Sequence, residues 1–462
     1  MGKCAGLFFS TNDSNTLDWR IRPSDDQYDQ QMERWNDLAD YLLDDLKKRS
    51  GYPMASWLQG SYKFGTQVRP ASSGEEFDID LGVYFRWDGD ADDGDHGPKK
   101  LKDFVRKSLI AYADDEDNEA NKVADPKPRC ERLHFKPDFH IDVPCYHLDT
   151  PNDERSLATD EDAWEASDPK AIYSWWTTTF SDMDIARLRR MVRYLKMWAA
   201  LKFEEGRPSS LLLTVVAGEA WEDMDRAVLS GDDEHFDELV RRIHERLEAD
   251  GEVANPVDSD EDLNRLTDEE HAGLVDKLEE LLNICERALE APTKAVSAEI
   301  WGEAFEHFFP LPEEEEEEVQ KASTLALVPV LFQPQVAVEA RPRKRPQHIF
   351  RGMNEIGPIP KDCDIRFVLV NASSLPAGAI VDWTVRNQGQ EAEDLNDLGH
   401  RSGNKTEAKE NSAYRGTHYM DLAVRLAGAI IGRRRVPVKV TNMILPLRNP
   451  PRPDWVKLRG RR

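Results

Sequence analysis

Between residues 31 and 51 apolar residues recur three or four apart. Met32, Trp35, Leu38, Leu42 and Leu46 form one stripe of "QMERWNDLADYLLDDLKKRSG", with basic residues and Gly51 at its end, which predicts an amphipathic helix. Further on the period shortens to two. "FDIDLGVYFRW" (77–87) and "LHFKPDFHIDVPCYHL" (133–148) are rich in β-branched and aromatic residues, and each predicts a strand. The acidic stretches "DGDADDGDHG" and "DDEDNEAN" between them hold almost no apolar residues and read as solvated loops.

The 3.6-residue period returns in "SDMDIARLRRMVRYLKMWAALKF" (181–203). Ser181 is placed to cap this helix, acids fill its first turn, and Ile185, Leu188, Val192, Leu195 and Trp198 make one face, with Lys196 off that stripe. "PSSLLLTVVAGEAW" (208–221) is apolar all round, as a helix buried on every side would be. Residues 222–262 are highly charged and read as an exposed insertion. Helical patterns follow near 262–291 and 293–308, and "EEEEEE" at 313–318 reads as a solvated surface or linker. Beyond it the texture changes: "DIRFVLVNAS", "AIVDWTVRN" and "RVPVKVTN" are strand-like segments separated by Gly, Pro and Asn turns, suggesting a mainly β domain with a sandwich as the candidate architecture.

Size and charge sharpen this division. A chain of 462 residues is too long for one ordinary core, which favours two or three domains. The net charge of −27 is uneven: residues 1–330 hold 38 Lys+Arg against 75 Asp+Glu, and residues 331–462 hold 23 against 13. The acidic part is unsuited to coating nucleic acid non-specifically, and no basic stripe or zinc thumb for duplex DNA is visible. No apolar run approaches the roughly 20 residues of a membrane span, "MGKCAGLFFSTNDS" is too short and polar for a secretion signal, and the five cysteines are scattered; a cytoplasmic protein without disulfides is expected.

Chemistry enters with "QGSYKFGTQVRP" (59–70) and "DIDLGVYF" (78–85). Asp78 and Asp80 lie two apart on a strand, so both carboxylates leave the same face. Two like charges that close are costly unless a cation lies between them. Gly60-Ser61 and Gly65-Thr66 precede the pair, and glycine-hydroxyl turns let a backbone approach a phosphate. Asp142, flanked by apolar residues in the second strand segment, is a buried acid that needs a partner, and a shared metal supplies one. Three carboxylates around a divalent pair are what in-line phosphoryl or nucleotidyl transfer requires, and hard oxygen donors select Mg²⁺ or Mn²⁺ over zinc. Cys130, His134, His140, Cys145 and His147 lack the usual zinc-ligand spacing, and Cys145 reads as a core residue. "RPRKRPQH" (341–348) and "GRRR" (432–435) are basic clusters, read first as solubilising or paired charge. Trp383, His418 and Tyr419 sit on probable strands as core residues or base-stacking surfaces.

"GSYKFGT…FDIDLGVYF…HIDVPCY" resembles the polymerase-β-type nucleotidyltransferase signature, and its G-S-x-x-x-G-T form is similar to the cGAS/DncV-like nucleotidyltransferases (CD-NTases) of bacterial anti-phage (CBASS) signalling. "RYLKMWAAL…PSSLLLTVV" is similar to the family's paired helices, where a lysine and a serine fourteen residues on hold the donor triphosphate. "NPVDSDEDLN" and "AEIWGEAFEHFFP" extend the resemblance to roughly residues 20–311. "VDWTVRNQGQEAE…YRGTHYMDLAV" resembles the C-terminal sensor domain attached to some of these synthases. The seventeen residues from Ser61 to Asp78 exceed a minimal signature's spacing, but the cyclase branch accommodates a longer loop.

The resemblance implies an α/β (α+β) chain with a polymerase-β-like core and spine helix (1–165), a helical half (166–311), an acidic linker (312–330), a β-rich sensor-like domain (331–448) and a basic tail (449–462). It implies synthesis of a cyclic di- or trinucleotide from NTPs. Asp78 and Asp80 would bind both Mg²⁺ ions (or Mn²⁺), and Asp142 would bind the catalytic one and help deprotonate the acceptor hydroxyl. Gln59, Gly60, Ser61, Thr66, Lys196 and Ser210 would hold phosphates. The implied partners are ATP, GTP or another NTP as substrate, a downstream effector that binds the product, and regulatory proteins, with no membrane and no double-stranded DNA. A linear-oligonucleotide synthase, a nucleotide-transferring modifier of protein or RNA, and an inactive nucleotide-binding module are the alternatives.

Overall fold

The computed structural model of the chain describes residues 2–312 and 332–445, apart from 14, 73–74, 137–138, 427–428 and 444, and divides into two compact units, residues 1–322 and 323–462. The glutamate run at 313–318, the linker beyond residue 312 and the 449–462 tail lie outside the described residues.

In the first unit, two short helices, α1 (Ala5–Phe8) and α2 (Leu17–Ile21), precede α3 (Asp25–Ser50). Helix α3 starts seven residues before Met32, the first residue of the apolar stripe, because Ser24 and Gln27 form a reciprocal capping box, and it stops where Gly51 turns left-handed at φ 80°. Its buried face is Gln31, Leu38, Ala39, Leu42 and Leu46, whereas Met32 is 41% exposed. There follow β1 (Met54–Gln59), α4 (Gly60–Phe64), β2 (Phe77–Arg86), α5 (Pro98–Ala113), β3 (Ala120–Val123), β4 (Glu131–Phe135), β5 (Phe139–Val143), β6 (Cys145–Asp149), β7 (Glu154–Ala158) and β8 (Trp164–Ala166). The single strand expected over 133–148 is therefore corrected to parts of three. The chain reverses after Phe135, and Pro144, which has no N–H to donate, separates β5 from β6.

These strands form one sheet in the order β3-β4-β5-β2-β6-β7-β8, with β1 also paired to β2. Strand β2 is its axis. Its first half runs parallel to β5, its second half parallel to β6, and β1 lies antiparallel to it. Phe77, Ile79, Leu81, Val83 and Phe85 of β2 and Phe139, Ile141 and Val143 of β5 point into a core closed by Leu38, Leu42 and Leu46 of α3 and Leu101, Val105 and Leu109 of α5. Each such side chain contributes on the order of 1.5–3 kcal/mol by leaving water.

The rest of this unit is α6 (Pro169–Thr179), α7 (Asp182–Lys202), α8 (Ser210–Asp223), α9 (Asp232–Ala249), the two-residue β9 (Ala254–Asn255), β10 (Asp258–Asp262), α10 (Asp268–Glu290) and α11 (Lys294–Phe305). Ser181 caps α7 by accepting from Asp184 N–H. The expected exposed insertion at 222–262 is corrected. Its middle is α9, whose Phe236, Leu239, Val240, Ile243 and Leu247 are buried, because the apolar residues recur at helical spacing beneath the charged ones. Phe236 joins Phe8, Tyr194, Trp301 and Phe305 in an aromatic cluster. Beside it Arg190 donates two hydrogen bonds to Asp232, at 2.6 and 2.9 Å, and Tyr194 donates a third at 3.1 Å.

The second unit contains β11 (Val336–Pro342), β12 (Phe350–Met353), β13 (Ile356–Pro360), β14 (Cys363–Leu369), β15 (Ile380–Arg386), α12 (Gln390–Asp394), β16 (Gly399–Gly403), β17 (Glu407–Asn411), β18 (Gly416–Leu426) and β19 (Ala429–Thr441). They make two sheets, β12-β11-β14-β17 and β13-β19-β18-β15-β16. Val338, Ile365 and Phe367 from the first and Trp383, Leu422 and Val436 from the second share one core, a β-sandwich. Trp383 is fully buried and its indole N–H donates to Lys405 O, so of its two readings it is a core residue. The basic clusters are tied down within the unit: Arg343 to Asp364, Arg345 to Leu445 O, Arg434 to Pro334 O and Arg435 to Asp421.

Replacing Asp232 by Ala leaves the Arg190 guanidinium buried without its counter-ion, so a loss of about 3–5 kcal/mol is expected in urea denaturation; an unchanged midpoint would show that the pair stabilises nothing. Burial opposes ionisation of Asp421, yet Arg435 and Arg386 hold its carboxyl below the usual range. A depressed folded pKa means stability that is present above the unfolded value of about 3.9 and lost as pH falls through the folded one. The stability of wild type, read by urea denaturation, should therefore weaken on acidification below about pH 4, and Asp421→Asn should flatten that dependence.

Candidate active site

The alternation that buries the odd-numbered residues of β2 and β5 sends the even-numbered ones to the opposite face. There Asp78 is the register partner of His140, and Asp80 that of Asp142. The structure thus brings the three predicted carboxylates together on neighbouring strands, with ligand atoms of Asp78, His140 and Asp142 all within 4.8 Å of one another.

Charge in this cluster is balanced from the edges. Burial, then the nearby carboxylates of Asp78 and Asp142, push the Asp80 carboxyl well above the usual range. Burial works the same way on Asp142, but Arg132 overcomes it and holds that carboxyl below its usual value. Arg132 contacts it twice, at 2.5 and 2.8 Å, and Lys127 lies 3.4 Å away. Arg132 stands opposite Asp142 across the β4–β5 hairpin. The partner that the sequence demanded for this buried acid is therefore present as a side chain. Sequence reasoning missed it because "KPD", the turn signal inside 133–148, was not used to fold that segment back on itself.

Phosphate-binding candidates line the approach. Gln59 pairs with Asp80 across β1–β2, but its side chain is committed elsewhere: Nε2 donates to Tyr84 Oη at 2.8 Å and Oε1 accepts from Tyr146 Oη at 3.1 Å. The two tyrosine rings stack at 4.9 Å. Gly60 has φ 58°, and a Cβ there would lie 1.9 Å from Asp80 Oδ2, so only glycine lets the turn pass the carboxylate. Ser61 O accepts from Thr66 N–H at 2.9 Å and closes that turn.

Helix α7 grips the turn from its other side. Arg189 donates to Phe64 O at 2.7 Å, Arg193 to Gly65 O at 2.6 Å, and Lys196 Nζ to Thr66 Oγ1 at 3.0 Å. These three residues lie four and three apart, on one helix face, which explains why Lys196 falls off the apolar stripe. Burial, with Arg193 adding to it, pulls the Lys196 ammonium down to about 7 against the opposing pull of Asp80 and Asp78. Ser210 is exposed in the first turn of α8, one residue after the capping Ser209. No hydrogen bond joins its hydroxyl to this group among the described residues. Arg189 and Arg193 were not singled out in the sequence; their i, i+4, i+7 spacing with Lys196 was the available signal.

The donor set fits a divalent cation of the hard kind. Three carboxylates face one another, burial and the two neighbouring carboxylates make one of them resist ionisation, and Gly60 leaves room beside Asp80 Oδ2 that a Cβ would fill. Among the described residues the cysteines do not gather with the histidines into a metal-binding group. Burial pushes the Cys130 and Cys145 thiols up to about 12, and His147 stacks on Trp87 at 3.9 Å. His134 and His140 instead share the carboxylate of Glu76, at 2.8 and 2.9 Å.

The chain is similar to known proteins over most of its length. Residues 54–146 match the family described as cyclic GMP-AMP synthase DncV-like, nucleotidyltransferase domain, and residues 186–308 its C-terminal domain. Residues 314–441 match the adenylyl/guanylyl and SMODS C-terminal sensor domain. A cyclic GMP-AMP synthase of Escherichia albertii is 30% identical over 445 residues, covering 95% of this chain and 96% of the relative. A c-di-GMP synthase of Roseivirga ehrenbergii is 25% identical over 49% of this chain and 64% of its own length. The fold is similar to the Vibrio cholerae di-nucleotide cyclase DncV in complex with GTP and 5MTHFGLU2, with TM-score 0.58 and 20% identity over 67% of this chain and 97% of that one. It is also similar to Escherichia coli DncV in its 3'-deoxy GTP bound form, with TM-score 0.56 and 20% identity over 66% and 97%. No described helix is long and apolar enough to cross a membrane.

Gly60→Ala should force Asp80 aside. We expect Mn²⁺ binding, read by isothermal titration, to weaken by about tenfold or more, while unchanged affinity would mean that the turn tolerates a side chain.

Proposed function

The chain belongs to the cGAS/DncV-like nucleotidyltransferases, and from that premise we propose that it joins two nucleoside triphosphates into a cyclic dinucleotide. The observation that carries this reading is the convergence of Asp78, Asp80 and Asp142 on one open sheet face, with Lys196 and the Gly60–Thr66 turn beside it. Two Mg²⁺ ions, or Mn²⁺, held by Asp78, Asp80 and Asp142, supply when bound the positive charge that acidifies a ribose hydroxyl and steadies the leaving pyrophosphate.

Asp142 accepts the proton of the attacking 3′- or 2′-hydroxyl, for which Arg132 must give up part of its hold. The hydroxyl oxygen bonds to the α-phosphorus, the bond from that phosphorus to the bridging oxygen breaks, and pyrophosphate carries the electron pair away. The Ser61 and Thr66 hydroxyls and the Lys196 ammonium hold the triphosphate in line, with Ser210 added from the first turn of α8. Gly60 keeps the turn close to Asp80. Gln59 acts through the backbone, since its amide is engaged by Tyr84 and Tyr146. A second attack on the linear intermediate closes the ring. The product's role as a second messenger in anti-phage signalling, read by a separate effector, follows from the family resemblance. ATP and GTP are the first substrates to offer, because the relatives are a cyclic GMP-AMP synthase and a c-di-GMP synthase.

Incubation of the full chain with labelled ATP and GTP and Mg²⁺, followed by phosphatase, should leave a small resistant product. Asp78→Ala with Asp80→Ala should reduce it to background. A phosphatase-sensitive ladder or labelled macromolecule would replace cyclisation by linear synthesis or modification, and absence of pyrophosphate release would leave only a nucleotide-binding module.

A further inference from the structure

His140 lies on the open face, and the proposed reaction gives it no task. It is 7% exposed, sits across from Asp78 on the neighbouring strand, and precedes Asp142 by two residues on the same face. Its Nδ1 lies 2.9 Å from Glu76 Oε2. A carboxylate can only accept, so the hydrogen of the neutral ring is on Nδ1 and the lone pair is on Nε2. That Nε2 is buried and makes no hydrogen bond, although Asp78 Oδ1 is 3.0 Å away. The ring is buried while Asp78 is half exposed, and two electron-pair donors facing each other at this distance repel unless a proton or a metal ion lies between them.

We infer that His140 Nε2 is a nitrogen ligand of the divalent centre, shared with Asp78 and Asp142 and aimed by Glu76. The inference rests on the proposed nucleotidyl-transfer site. Adjacent ligand atoms of an octahedral ion with bonds of about 2.1 Å are separated by about 3.0 Å, which is the spacing of Nε2 and Asp78 Oδ1. The Asp142 carboxylate has an oxygen within 4.8 Å of both, near enough to close on the same ion. Anchoring of the distal ring nitrogen by a carboxylate is the usual support of a metal-bound histidine. Glu76 supplies it here, and its same oxygen also meets His134 Nδ1, which pins the carboxylate from the far side. An imidazole among carboxylates shifts the preference from Mg²⁺ toward first-row transition ions, so this centre takes Mn²⁺ ahead of Mg²⁺.

The test uses the full chain without nucleotide. Mn²⁺ is titrated in and its electron spin echo envelope recorded for nitrogen coupling. Wild type should show one coupled nitrogen, lost in His140→Gln and kept in His134→Gln. His140→Gln should weaken Mn²⁺ binding by about tenfold and Mg²⁺ binding by less. Glu76→Gln should retain the coupling with lowered affinity. Purely oxygen-bound Mn²⁺ in wild type would overturn the inference without any variant, as would coupling that disappears with His134 and persists without His140. Product formation is scored separately. Nitrogen-coupled Mn²⁺ in a chain that makes no cyclic product removes the proposed function and keeps the ligand. Cyclic product from a centre with oxygen ligands alone does the reverse.

Discussion

The parallel pairing of β2 with β5 is the constraint on which the rest of the first unit depends. Both strands bury every second side chain under α3 and α5, and the pleat leaves no freedom in where the intervening ones point. Burial of Phe77, Ile79, Leu81, Ile141 and Val143 therefore holds Asp78, Asp80 and Asp142 at close quarters. Like charges would drive these groups apart in a flexible loop. Here the apolar half of each strand holds them, at roughly 1.5–3 kcal/mol per buried side chain. The acidic face is a consequence of the greasy one.

A cluster so assembled needs positive charge, and the chain supplies it from two directions. Arg132 and Lys127 reach Asp142 from the hairpin edge of the sheet. Lys196 comes from α7, whose Arg189 and Arg193 also hold the carbonyls of Phe64 and Gly65. One helix face thus sets the position of the Gly60–Thr66 turn and places an ammonium beside it. The same helix is anchored behind the site by Arg190, Asp232 and Tyr194, so the fold that positions Lys196 includes α9, a segment whose charged surface conceals a buried stripe.

The second unit is stabilised by different means. Its two sheets share an apolar core, and its arginines are neutralised mostly by acids of the same sandwich, as Arg386 and Arg435 are by Asp421. Its excess of positive charge is therefore not a free basic patch at these positions.

Periodicity along the chain was enough to determine which faces β2 and α7 present, because that depends only on the spacing of apolar residues and on local caps such as Ser181. The α/β core followed by a β-rich part was legible for the same reason, as was the chemistry available to an Asp-x-Asp strand behind a Gly-Ser turn. What lay beyond reach were contacts between distant segments. Arg132 opposite Asp142 depends on a hairpin, Glu76 shared by His134 and His140 on the register of two strands, and the tyrosines that occupy Gln59 on a sheet order that no local pattern encodes. A residue's neighbours along the chain decide its direction. Only the folded backbone decides what it meets there, since register and hairpin closure are set by the packing of the whole sheet.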